Sequence, residues 1–203
     1  MIEETHIPNR FGRFLLMALE QSLGTPGFQA VLGRAGLRHL AAYPADNLER
    51  GFPVNLIPRL MAALEEMYGV GKGRELAFQT GRACFHLGIS DFGILADTAE
   101  WLFPLLPSLT RARIGLETLA EVFNRFADGN IQVQKQGDHF LWVVEHCGVC
   151  QGRTSSSPCC HLLTGLLQET VHWATGRGSV KVTEVVCAAA GGPHCAMEIE
   201  LGG

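Results

Sequence analysis

The composition of this 203-residue chain fits a globular protein with one sizeable core. Apolar residues make up 47% of the chain and charged residues 18%, which argues against disorder. The formal net charge is -4 and no basic run appears, so the sequence gives no electrostatic support for nucleic-acid binding.

No stretch approaches the roughly 18 uninterrupted apolar residues that a membrane-spanning helix needs, and the first residues lack the features of a signal peptide. We therefore expect a cytoplasmic protein with no membrane span and no nucleic-acid partner. In a reducing compartment, clustered cysteines indicate metal binding or redox chemistry rather than a disulfide framework.

Apolar residues recur at helical spacing through residues 1 to about 130. The spacing predicts helices over 10–22, 58–68, 74–87 and 114–126, and a helix pair within 28–43. Residues 69–73, GVGKG, lack the residue order of a phosphate-binding loop and follow a helix, so we expect a plain connection between helices. The apolar character of this half suits a ligand pocket between helices and suits an ordinary core equally well.

The period of the pattern changes in residues 131–203, which alternate as strands do. We expect strands around 131–135, 140–145, 179–188 and 194–201, with a helix over 158–175 between the second and third. The fold class is therefore α+β: N-terminal helices packed on a small antiparallel sheet whose part of the chain reads β-β-α-β-β.

Six of the seven cysteines lie between Cys147 and Cys195. Glu184 and Cys187 sit three residues apart at a strand end, where a bulge or turn is needed to bring them together. A hairpin turn then places Cys187 beside Cys195, and Cys159 or Cys160 at a helix N-terminus would complete four ligands. Three thiolates and a carboxylate make a tetrahedral zinc site with no position left for water, hence a structural one. Unligated cysteines are the alternative.

Two stretches carry a resemblance to a known family. The sequence CHLLTG at 160–165, followed by Glu184-x-x-Cys187 and Cys195-x-x-Glu198-Ile199, resembles the 4-vinyl reductase domain family of hydrocarbon-binding and phenol-sensing proteins. The resemblance covers residues 130 to 203. It implies the ligand-binding fold of nitric-oxide-signalling and Golgi-transport proteins, formed here by one domain over 1–203 with a helical part over 1–130 and a zinc-binding part over 131–203.

The resemblance also implies zinc ligands, a pocket and a partner. The ligands correspond to Cys160, Glu184, Cys187 and Cys195. A largely apolar pocket between helices and sheet would take a hydrophobic small molecule, and such domains commonly form homodimers. His161 stands where a tryptophan is usual in the phenol sensors, which weighs against a phenol-type ligand. The chain is expected to lack the ATPase and DNA-binding domains of a complete phenol-responsive activator.

Cys147, Cys150 and Cys159 are additional to the implied zinc ligands. Cys147-x-x-Cys150 suits half of a second metal site, an iron–sulfur site together with Cys159, or a redox pair. Unligated thiols beside the zinc are the remaining alternative.

Three functions stay open on the sequence. The first is a zinc-stabilised binder of a hydrophobic small molecule, such as a tetrapyrrole or an aromatic compound, serving as carrier, sensor or pathway accessory. The second is a reductase of a tetrapyrrole vinyl group that uses a cysteine-bound cluster or an external donor. The third is a dimerising adaptor without a ligand. No nucleotide fingerprint or nucleophile signature appears, so we assign no catalytic residue.

Overall fold

The computed structural model describes residues 5–92, 103–176 and 178–202. The helical half contains, in chain order, β1 (His6–Pro8), α1 (Asn9–Arg34), β2 (Arg50–Pro53), α2 (Leu56–Tyr68), α3 (Val70–Phe92) and α4 (Ser108–Ala127). The second half contains β3 (Ile131–Gln136), β4 (His139–Val144), α5 (His161–Thr175), β5 (Val180–Val186) and β6 (Cys195–Leu201). Short 3-10 turns lie at Arg38–Ala42, Phe103–Leu105 and Ala188–Ala190.

The four later strands form one antiparallel sheet in the order β3-β4-β6-β5. Strand β4 buries every second residue because one face of the sheet packs against helices, and Trp142 is fully buried there. Helices α4 and α5 cover this face with Leu116 and Leu167. The predicted α+β class and the β-β-α-β-β order are confirmed.

Helices α1, α2 and α3 enclose a second core of leucines, with Leu162 of α5 reaching into it. Helix α5 therefore lies between the two cores. Helices α3 and α5 cross closely because two glycines face each other's backbone: a Cβ on Gly81 would meet the Leu162 carbonyl oxygen at 2.0 Å, and one on Gly165 would meet that of Phe78 at 2.0 Å.

Two features of the helical half differ from the sequence predictions. Residues 69–73 are not a loop, because α3 begins at Val70 and only Gly69 separates it from α2. The short strands β1 and β2 were missed; they pair antiparallel and are too short to show an alternating pattern.

Helix α1 bends where the sequence predicted a stop. Gly24 has φ 69° and interrupts the helical geometry just before Pro26. Among the described residues, no helix combines the length and the hydropathy that crossing a membrane requires.

Candidate functional site

Six cysteines meet where the ends of the sheet strands approach the N-terminus of α5. Each is buried, with 0 to 7% of its surface exposed, and all are free thiols. Cys147 and Cys150 follow β4, Cys159 and Cys160 precede α5, Cys187 follows β5, and Cys195 begins β6. The seventh, Cys84, lies apart on α3, with its thiol 3.9 Å from the Phe14 carbonyl oxygen.

The four residues of the predicted zinc site come together. The thiols of Cys160, Cys187 and Cys195 and one carboxylate oxygen of Glu184 all lie within 4.8 Å of one another. The strand register shifts between Glu184 and Val186, which is the irregularity that the three-residue spacing requires. The hairpin between β5 and β6 then brings Cys187 close to Cys195.

The Glu184 carboxylate is half satisfied by hydrogen bonding. Its Oε2 accepts a hydrogen bond of 2.7 Å from the backbone N–H of Cys160, whereas its Oε1 is buried without a partner. An unpaired buried carboxylate oxygen is costly unless a cation or donor reaches it. The donor set therefore fits a divalent cation held by Glu184 and the neighbouring thiols.

The sulfur spacing supports the same interpretation. A tetrahedral ion with Zn–S bonds of about 2.3 Å holds its sulfurs about 3.8 Å apart. The Cys160 and Cys195 sulfurs are 3.8 Å apart. An iron–sulfur cluster places inorganic sulfide between its metal atoms and so needs wider cysteine spacing. The observed distance fits a single ion.

Crowding opposes ionisation of several of these thiols together. Neighbouring thiols, Cys147 first, raise the pKa of Cys160, while burial and then the Glu184 carboxylate raise the pKa of Cys187. The pKa of Cys159 is lowered instead, chiefly by hydrogen bonding from Cys150 and Cys160. A bound cation would replace the thiol protons and relieve this repulsion.

The three additional cysteines adjoin the same centre. Cys147 and Cys150 form, with Cys160 and Cys195, another set of four thiols within 4.8 Å of one another. Cys159 belongs to neither set, and its sulfur lies 3.9 Å from that of Cys187.

Two arginines beside the cysteines escaped sequence reasoning. Arg153 donates a hydrogen bond of 2.8 Å to Glu65 and interacts electrostatically with Cys159 and Cys160. Arg74 donates a 3.0 Å hydrogen bond to Ser157, just before the cysteine pair. Glu65 and Arg74 come from α2 and α3, more than 80 residues from these partners, so no local pattern could have indicated the contacts.

His161, the first residue of α5, is half-buried, and its Nε2 atom lies buried without a hydrogen-bond partner. Burial, followed by the nearby Arg74, lowers the pKa of its imidazole. His161 is therefore neutral at pH 7.

A cavity of about 740 Å³ lies between the helices and the cysteine-bearing loop. Its helical walls are formed mainly by apolar side chains, among them Phe11, Phe14, Phe85, Leu119, Phe123 and Leu166. The opposite wall is the segment 144–153 together with Ala188 and Ala189. The segment that carries Cys147 and Cys150 is thus also a wall of the cavity.

Comparison with known proteins agrees with this arrangement. Residues 142–201 match the family model of the 4-vinyl reductase domain. That range contains both cysteine sets and helix α5. No curated protein matches the sequence.

Solved structures match over almost the whole chain. An H-NOX protein from S. oneidensis in the Fe(II)NO ligation state has a TM-score of 0.56 at 13% identity, covering 94% of this chain and 98% of its own. The Fe(II) unliganded H-NOX protein from K. algicida has a TM-score of 0.59 at 14% identity, covering 96% of each chain. The phenol-responsive sensory domain of the transcription activator PoxR, solved with phenol, has a TM-score of 0.52 at 16% identity, covering 77% of this chain and 78% of its own.

These comparisons confirm the predicted resemblance and the predicted fold. The chain has the ligand-binding fold that it shares with H-NOX and phenol-responsive sensory domains, and its residues 142–201 match the 4-vinyl reductase domain.

Proposed function

We propose that this protein binds a hydrophobic small molecule in the cavity between its helices and sheet, as a carrier, sensor or pathway accessory. The observation that carries the proposal is the 740 Å³ cavity, walled by aromatic and aliphatic side chains on one side and by the cysteine-bearing loop on the other. Pockets of roughly 300–1,000 Å³ with mainly apolar walls and few polar groups are typical of small-molecule sites.

The size of the cavity favours a ligand larger than a single aromatic ring. An apolar cavity of about 150 Å³ already accommodates benzene, and the cavity here is several times larger. Thr118 and Thr170 are among its polar lining residues and would orient a polar substituent. A multi-ring aromatic compound or a tetrapyrrole fits these features better than phenol.

The neighbouring folds support a ligand-binding role. The sensory domain of PoxR is described with phenol, and the H-NOX proteins with Fe(II) and NO. In the same fold, this chain offers its own cavity and its own cysteine centre.

The second part of the proposal is a structural zinc ion held by Cys160, Glu184, Cys187 and Cys195. Four protein donors leave no coordination position for a substrate, so the ion would stabilise the β5–β6 hairpin and the cavity wall rather than activate a reactant. The unpaired Oε1 of Glu184 supports this assignment. Metal analysis should find zinc, and Cys187→Ser should release it; unchanged zinc in that variant would contradict the ligand assignment.

Ligand binding is tested with two defined probes, a metal-free porphyrin and phenol, by isothermal titration calorimetry. We expect the porphyrin to bind more tightly than phenol. Leu119→Trp, which fills the cavity, should weaken binding at least tenfold, while Glu121→Trp on the exposed side of the same helix should not.

Thermal unfolding of both variants verifies that they fold. Equal affinity of the two variants for the bound probe would place the binding site outside the cavity. If neither probe binds, mass spectrometry of compounds that co-purify with the protein decides whether the cavity is used at all.

The expected homodimer rests on the family resemblance. Sedimentation equilibrium measures it directly: a mass of about twice the 22.0 kDa chain supports the dimer, and a mass of one chain contradicts it.

A further inference from the structure

Cys147 and Cys150 each contact a different thiol of the proposed zinc site. The Cys147 sulfur lies 3.5 Å from that of Cys160, and the Cys150 sulfur lies 3.4 Å from that of Cys195. Both residues are buried, with 7% and 3% of their surface exposed. The turn after β4 therefore directs both thiols into the centre rather than towards solvent.

These four sulfurs make a complete donor set by themselves. All lie within 4.8 Å of one another, and the closest pairs are 3.4 to 3.8 Å apart. Thiolates around one tetrahedral zinc ion are about 3.8 Å apart. The set of Cys147, Cys150, Cys160 and Cys195 thus matches a single-ion site as well as the set that contains Glu184.

The two donor sets share Cys160 and Cys195 and differ in their remaining pairs. One set adds Cys147 and Cys150 and the other adds Glu184 and Cys187. Two tetrahedra that share one edge place two ions on either side of a pair of bridging thiolates. The 3.8 Å between the Cys160 and Cys195 sulfurs is that shared edge.

The charges of such a centre are nearly balanced. Five thiolates and one carboxylate carry six negative charges against four positive charges on two divalent ions. Arg153 interacts electrostatically with Cys160 and has a buried Nη1 without a hydrogen-bond partner, so its guanidinium offsets part of the excess. Buried charge of this size needs such compensation.

We propose that Cys147 and Cys150 hold a second zinc-type ion, which shares the thiolates of Cys160 and Cys195 with the ion held by Glu184 and Cys187. This inference rests on the zinc site of the proposed function. The second ion fixes the segment 144–153, which forms one wall of the cavity. Cys159 remains a neighbouring thiol outside both coordination spheres.

Native mass spectrometry of the intact chain, purified under reducing conditions with zinc, counts the ions directly. We expect two zinc ions in the unmodified protein and one in the double variant Cys147→Ser, Cys150→Ser. Cys187→Ser should also retain one, held by the four-thiol set. Cys84→Ser, which changes a cysteine outside the centre, should retain two.

Other counts separate this inference from the proposed zinc site. One ion that survives the double variant and is lost in Cys187→Ser would overturn the second ion and leave the proposed site standing. One ion with the opposite behaviour would place the metal in the four-thiol set and overturn both assignments. No ion, with disulfides detected by mass, would also overturn both.

Sharing of the thiolates is tested on the unmodified protein after exchange with ¹¹³Cd, so it does not depend on how the variants fold. We expect two cadmium resonances at thiolate-rich chemical shifts that are split by coupling through the bridging sulfurs. Two resonances without that coupling would overturn the shared centre, as would a single resonance.

Discussion

The carboxylate of Glu184 joins strand β5 to the N-terminus of α5. It accepts a hydrogen bond from the Cys160 backbone N–H through one oxygen and leaves the other buried and unpaired beside three thiols. One side chain thus fixes the backbone of one proposed ligand and supplies a donor atom itself.

Glu184→Gln tests this double role. The amide keeps an oxygen that can accept from Cys160 but loses the negative charge, so we expect metal affinity to fall at least tenfold. Competition with a chromophoric chelator measures the affinity. Glu200→Gln, on the exposed side of the same hairpin, is the matched control and should leave it unchanged. Equal affinities in the two variants would remove Glu184 from the ligand set.

Asp128 provides a second prediction for a single residue. Its carboxylate forms two hydrogen bonds with Arg50, at 2.5 and 2.9 Å, and this interaction lowers the pKa of Asp128. A carboxyl group whose pKa is lower in the folded state stabilises the fold above its unfolded pKa and loses that contribution as the pH falls through the folded value. Both side chains are largely exposed, so the contribution is about 0.2–1 kcal/mol.

Asp128→Asn should therefore reduce the free energy of unfolding in urea by that small amount at pH 7. Asparagine tolerates the left-handed conformation of this position, φ 51°, so the change isolates the charge. The difference from the unmodified protein should narrow as the pH falls below about 4. A difference that stays constant with pH would show that charge is not responsible.

At the scale of elements, the crossing of α3 and α5 explains part of the motif that carries the family resemblance. Gly165 lies against the Phe78 carbonyl, and Gly81 lies against that of Leu162. Because α5 begins with the cysteine pair and lines the cavity with Leu166, the depth of this crossing positions both features.

Gly165→Ala should push the two helices apart, because its methyl group would meet backbone that cannot rotate away. Overpacking of this kind costs about 1–3 kcal/mol or more, measured as the free energy of unfolding. Gly71→Ala is the matched helical control with open space around the new methyl group, and helix propensity predicts that it is neutral or stabilising. Equal effects of both substitutions would show that the crossing tolerates a wider spacing.

At the scale of the molecule, two cores meet along α5. The sheet core contains the six clustered cysteines, whereas the core of α1, α2 and α3 holds leucines and other apolar side chains away from the centre. Metal occupancy should therefore affect the two cores unequally.

Removal of metal by a strong chelator should lower the Tm by about 10 °C. A loss of about 4 kcal/mol corresponds to such a shift in a chain of this size. Backbone amides of β4, β5 and β6 should exchange hydrogen faster, while those of α1 and α2 keep most of their protection. Uniform acceleration across both cores would contradict the local role of the metal.

The sequence determined much of this architecture by itself. The change from helical to alternating period separated the helical half from the sheet, because each period reflects which side chains face a core. The spacing of Glu184 and Cys187 predicted the strand irregularity, and the family resemblance selected Cys160 over Cys159. These are local patterns, so they can be recognised without knowledge of distant contacts.

The tertiary structure decided what depends on separate segments meeting. It brought Cys147 and Cys150 against Cys160 and Cys195, completed a second donor set, and placed Arg153 and Glu65 beside it. It also distinguished a cavity from a filled core, which apolar composition cannot do because both need the same side chains. Distances between atoms of distant residues follow from the packing of whole elements, and no spacing along the chain encodes them.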